Sequence, residues 1–112
     1  MTLVEIVESL GLKSLTSTEA GVVNVTGGYT SDLLSDVMAN GRVGDLWITL
    51  QTHKNILAVV KIKDLAGVII VNDRTPDDDT IRTAEEEGVV VLGTGKSAFR
   101  ITGQLYELLK KK

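Results

Sequence analysis

Two glycine-bearing stretches have the composition of anion-binding turns. The first, "VTGGYTSDLLSDV", Val25 to Val37, runs from an apolar segment through Gly27 and Gly28 to a predicted helix start near Ser31. A strand, a glycine turn and a helix start aim free backbone N–H groups outward, which is how such turns hold a phosphate. Thr26, Gly27, Gly28, Thr30 and Ser31 are therefore candidate ligand contacts. Asp32 and Asp36 oppose that use, because carboxylates in the first turns already answer the positive end of the helix. The competing reading is a plain turn in which the glycines supply positive φ.

The second stretch, "GTGKS", Gly93 to Ser97, ends like a phosphate-binding P-loop, but Val90 stands where the motif demands glycine. That spacing argues against a nucleoside triphosphatase site. Two readings remain: Lys96 and nearby N–H groups touching a phosphate or carboxylate, or a turn closed by a Ser97 cap. His53 is the only histidine, so it has no histidine partner for a metal and must act alone if it titrates usefully. Asn55 either caps the following helix or joins His53 at a ligand site. Asp77 to Asp79 lack the glycine and terminal glutamate of a calcium loop and read as helix-end stabilisation; Glu85 to Glu87 read as a solvated face.

The absence of cysteine excludes disulfides, thiolate metal sites, iron–sulfur ligation and thiol nucleophiles. No Ser/His/Asp order or carboxylate pair stands out. No catalytic residue, metal site or cofactor is expected, and the chain is not expected to be an enzyme.

The elements that must position these residues follow from periodicity. Thr2 and Glu5 have capping-box spacing, and Leu3, Ile6, Val7 and Leu10 recur at helical intervals, which predicts a helix over 3–10. After a polar connection, "GVVNV" predicts a first strand, Val22 to Thr26. Leu33, Leu34, Val37 and Met38 form one face of a helix from about Ser31 to Gly41, and "LWITLQ" alternates as a strand. The run "NILAVVKIKDLAGVIIV" divides into a helix, Asn55 to Lys63, and a strand, Gly67 to Val71. Pro76 and the aspartates open a helix that stops at Gly88. "VVVL" is a fourth strand, and Ser97 to Leu109 a terminal helix with Ala98, Ile101, Leu105 and Leu108 along one face.

Alternating strands and helices of this kind predict a single domain over 1–112, a three-layer α/β/α fold with a mostly parallel sheet of four or five strands. Loops after the strands then share one edge, where sites gather if strand order reverses. Four could converge there: Gly27–Gly28, Thr52–Lys54, Asn72–Thr75 and Gly93–Lys96. Trp47, on a strand, must be covered by a helix or by another chain, which makes it a candidate interface residue.

A formal net charge of −3 in 112 residues, with basic residues scattered apart from Lys110 to Lys112, gives no attraction for nucleic acid. The N-terminus carries Glu5 and Glu8 and no basic leader, and no uncharged run approaches a bilayer span, so a cytoplasmic location and no membrane partner are expected.

Taken together, "TGGYTSDLLSDVM", "DLWITLQTHKNILAVV", "LAGVIIVND" and "GVVVLGTGKSAF" resemble the DRTGG domain, from about Asn24 onward. The naming motif reads "NVTGG" here, with Asn24 and Val25 in place of its Asp and Arg. Members are similar to the N-terminal domain of HPr kinase/phosphorylase. They accompany catalytic domains in phosphate acetyltransferases and in pyrophosphatases that carry CBS domains, and stand-alone versions occur beside genes for iron-hydrogenase systems. The resemblance implies a non-catalytic, dimer-forming regulatory or scaffolding module in a metabolic or redox system, with chemistry done by a partner enzyme. It also implies that the glycines form a shared strand-to-helix turn. The alternative is a small-ligand sensor binding an adenine nucleotide or another anion at the strand-end loops. A phosphoryl-transfer enzyme is the third and weaker reading.

Overall fold

The computed structural model describes residues 1–17 and 23–111. Helix α1 (Leu3–Leu10) is opened by the expected capping box: the Thr2 hydroxyl accepts from the Glu5 N–H at 3.3 Å and the Glu5 carboxylate accepts from the Thr2 N–H at 2.8 Å. It is followed by β1 (Lys13–Ser14), β2 (Gly27–Thr30), α2 (Leu34–Asn40), β3 (Asp45–Thr49), α3 (Asn55–Lys63), β4 (Gly67–Ile70), α4 (Asp78–Glu87), β5 (Val91–Gly93) and α5 (Ala98–Lys110).

The five strands stand in the order β1-β5-β4-β3-β2; β2 to β5 run parallel and β1 pairs antiparallel with β5. Side-chain alternation divides the core. Trp47, Val68, Ile70 and Val91 meet Val37, Ile56, Val60 and Ala84 on the face covered by α2, α3 and α4. Leu46, Ile48, Ile69 and Leu92 meet Leu3, Ile6, Ile101 and Leu105 on the face covered by α1 and α5. The expected three-layer α/β/α fold is thus the one observed. Its strand order differs from the one that would make a rim site. Each crossover from β2 to β5 steps to the next strand with its helix on the same face, so the parallel order never reverses and no switch-point crevice opens.

The region before α2 departs from expectation. The predicted strand begins at Val22, outside the described residues, and its described part does not join the sheet. Instead the Leu3 N–H donates to the Val23 carbonyl (2.8 Å), the Val25 N–H to the Met1 carbonyl (2.8 Å), and Val25 is buried. The sheet strand is the glycine segment itself, Gly27–Thr30, at the edge beside β3. Neither Gly27 nor Gly28 has positive φ. Gly28 is needed for close approach: a Cβ there would lie 3.0 Å from Leu105 Cδ2 on α5 and 3.5 Å from the Leu46 carbonyl. The helix then starts at Leu34 and not near Ser31, leaving Leu33 exposed.

Candidate functional site

The segment between β2 and α2 is fastened to β3 and the residues after it by Asp32 and Ser31. Asp32 Oδ1 accepts from the Thr49 hydroxyl (2.9 Å) and the Leu50 N–H (2.8 Å), and its carbonyl accepts from Gln51 Nε2 (2.7 Å). The Ser31 hydroxyl accepts from the Leu33 N–H (3.2 Å), and the Ser31 carbonyl from Trp47 Nε1 (2.8 Å). Ser31 therefore braces the loop and is not the first residue of a helix, since α2 begins at Leu34.

Trp47 is fully buried among residues of α2 and α3. As an interface residue it is corrected: its own chain covers it.

His53 and Asn55 act on each other. His53 Nδ1 accepts from the Asn55 N–H at 3.1 Å, so the imidazole caps the first turn of α3, where asparagine was expected to cap. Lys96 holds the β5–α5 loop. Its Nζ donates to the Leu10 carbonyl at the end of α1 (3.4 Å) and to Gln104 Oε1 (2.9 Å), while Ser97 Oγ accepts from the Arg100 N–H (3.2 Å). The Ser97 cap expected of "GTGKS" is present. Nearby, Asn72 and Asp73 have φ of 61° and 55°, and the Asp73 carboxylate lies against Gly95 over a hollow of about 200 Å³. Lys13 and Arg74 line the same hollow. Asp79 pairs with Arg82 (3.0 Å) and Lys54 (3.6 Å). Glu85 is more than a solvated face, since its carboxylate accepts from the N–H and hydroxyl of Ser17 (both 2.8 Å).

The eight candidate contacts consequently divide. Ser31, His53, Asn55 and Lys96 follow three different strands at their carboxyl ends, each tied locally. Thr26, Gly27, Gly28 and Thr30 line a single cleft of about 470 Å³ between β2 and α5, a volume suited to a small ligand. Its opposite wall is Thr102, Leu105, Tyr106, Leu109 and Lys110, with Ile48 at the floor. The glycines leave strand backbone bare on one side. The Thr30 and Thr102 hydroxyls meet at 2.7 Å, and the Lys110 ammonium stands 6.0 Å from the Tyr106 ring centroid. Such a cleft accepts a molecule with a flat or apolar part and an anionic end. Sequence reading missed the α5 wall because only the inward face of that helix was followed. Thr102, Tyr106 and Lys110 recur at four-residue intervals on another face, which was the available signal.

Among the described residues, no group of three or more His, Asp or Glu side chains is placed to hold a metal ion. One polar cluster shifts its members' acidity. The Tyr29 hydroxyl donates to Asp36 Oδ1 (2.8 Å), as does Asn40 Nδ2 (2.9 Å). Hydrogen bonding from Ser31, Tyr29 and Asn40 holds the Asp36 carboxyl below the usual carboxylate range; the bond to Asp36, with some desolvation, raises the Tyr29 phenol. The cluster joins α2 to β2.

No protein-family model matches the chain, and no curated protein sequence does. Among solved structures, the fold is similar to the CBS and DRTGG domains of the regulatory region of Clostridium perfringens pyrophosphatase, complexed with the activator diadenosine tetraphosphate. The TM-score is 0.71 at 17% identity, over 90% of this chain and 44% of that one. The chain thus spans less than half of the structure it matches. At this identity the likeness establishes a shared fold, in agreement with the one implied by the DRTGG resemblance. Among the described residues, no helix is long and apolar enough to cross a membrane.

Proposed function

We propose that this chain is a regulatory domain without chemistry of its own, working as a cytoplasmic homodimer on an enzyme of a metabolic or redox system. The observation that carries this reading is the fold shared over 90% of the chain with the regulatory region of a pyrophosphatase. The polar inventory supports it: Asp32, Lys96 and Glu85 each hold one segment to another, and His53 serves the first turn of α3. Sedimentation equilibrium at micromolar concentration tests the dimer, and a monomer throughout would overturn it. Turnover by the purified chain on phosphoryl donors would overturn the regulatory reading in favour of the enzymatic one.

A second reading, a sensor of a small anionic ligand, is favoured by the β2–α5 cleft. The neighbour's activator suggests the class to try first: adenine nucleotides, including diadenosine tetraphosphate. Calorimetry against these and against simple metabolite anions should give saturable binding that Lys110→Glu, an exposed change at the cleft mouth, weakens about tenfold. Silence across the panel removes the sensor and leaves the regulatory domain standing.

A further inference from the structure

We propose that two copies of this chain pair through the outward face of α5, the helices running antiparallel with Gly103 of one copy against Gly103 of the other. This deepens the homodimer reading and rests on it. Helix α5 packs on its own sheet through Ile101 and Leu105. Its other side carries Phe99, 91% exposed, and Tyr106, 66% exposed. With a single Phe, a single Trp and two Tyr in the sequence, half of the aromatic residues stand on this outer stripe.

Gly103 lies between them, four residues after Phe99 and three before Tyr106, hence on the same stripe. A Cβ added there would meet nothing within 4 Å, so nothing inside the chain calls for glycine. Glycine in mid-helix destabilises the helix relative to alanine, and what it permits is the close approach of another backbone.

The occupant follows from self-complementarity. A two-fold axis through Gly103 brings Phe99 level with Tyr106 of the second copy to within about one residue rise, ~1.5 Å. The same axis brings Arg100 level with Glu107 of the second copy, because Arg100 and Glu107 lie on one flank of the stripe seven residues apart. An aromatic contact and an ion pair thus each form twice, and the two helix dipoles oppose. A broad open hollow of about 1270 Å³ along α5, reaching Ser9 and Thr30, leaves room for the second helix.

Sedimentation equilibrium of the full chain, from nanomolar to high micromolar, tests this with three variants. Gly103→Arg should raise the thermal midpoint of the monomer, by helix propensity at an open position, while weakening the dimer about thirtyfold. Arg100→Glu and Glu107→Arg should each weaken it about threefold, and the double reversal should restore it. A wild-type chain that stays monomeric overturns this pairing together with the homodimer. A wild-type dimer indifferent to Gly103→Arg and to both charge reversals overturns the α5 assignment alone.

Discussion

Replacing Trp47 by Phe tests whether this side chain belongs to the core or to an interface. The indole is 0% exposed, packed with Val37, Ile56 and Val60, and its Nε1 donates to the Ser31 carbonyl at 2.8 Å. Phenylalanine forfeits that hydrogen bond, a net loss of about 1 kcal/mol. The smaller ring leaves a gap that the neighbours close only in part, a further ~1–2 kcal/mol. The expected total of roughly 2–3 kcal/mol is a large share of a domain stability of about 5–15 kcal/mol, yet leaves the variant folded. Urea unfolding followed by far-ultraviolet circular dichroism measures it, and the loss should be the same at every protein concentration. Because Trp47 is the only tryptophan, wild-type fluorescence gives an independent check. Emission should be blue-shifted, shielded from iodide, and unchanged on dilution to nanomolar concentration. A red shift on dilution, or a destabilisation that grows as protein concentration falls, would refute the core assignment and return Trp47 to a subunit contact.

Other consequences are more local. Gly28→Val should push against Leu105 Cδ2, 3.0 Å from the new Cβ, destabilise the fold by about 1–2 kcal/mol in urea titration, and fill the β2–α5 cleft so that calorimetric binding of any cleft ligand disappears. Ser97→Ala removes the cap of α5 and should cost about 1 kcal/mol, read in the same titration. Asp36, held low in the fold, adds stability that is complete above its unfolded value and lost as pH falls through the lower folded one. Tyr29, held high, adds stability that is complete below its unfolded value and lost as pH rises through the folded one. Tyr29→Phe should therefore move the Asp36 carbon resonance titration upward toward the ordinary carboxylate range. An unmoved titration would show that the phenol contributes nothing.

What could be read from the sequence depended on whether local chemistry or tertiary packing decided each segment. Helix α1 was legible because Thr2, Glu5 and Gly11 give both ends a local cause, and α3 because the apolar run from Asn55 to Val71 is too long for one strand and had to be divided. The β2 segment was not, since every local rule favours "GVVNV" as a strand over "GGYT". What reversed the choice is non-local: α5 lies close over β2, with Leu105 Cδ2 3.0 Å from where a Cβ of residue 28 would stand, while residues 1–3 take the hydrogen bonds of Val23 and Val25. Strand β1 has two residues and no pattern to find. The shared edge of the parallel strands was legible and is present, the Asn72 N–H reaching the Lys96 carbonyl (3.0 Å) and the Asp77 N–H the Thr52 carbonyl (3.2 Å), whereas a crevice in that edge was not. Periodicity identifies strands but not their order, and a steadily advancing order removes the crevice in which Lys96 and His53 would have met.

The β2–α5 cleft shares a helix with the proposed dimer contact. Tyr106 stands both in the cleft wall and on the outward stripe, with Lys110 one turn further along α5. A ligand in the cleft and a second copy on α5 therefore both press on Tyr106. If the ligand binds monomer and dimer with different affinity, linkage requires that it shift the dimerisation constant by the matching ratio of its affinities. A regulatory domain needs no catalytic group for this, only a helix with a ligand on one side and a partner on the other. Measuring the dimerisation constant with and without saturating ligand gives that ratio directly. A constant that does not move would mean that the cleft and the α5 surface act separately.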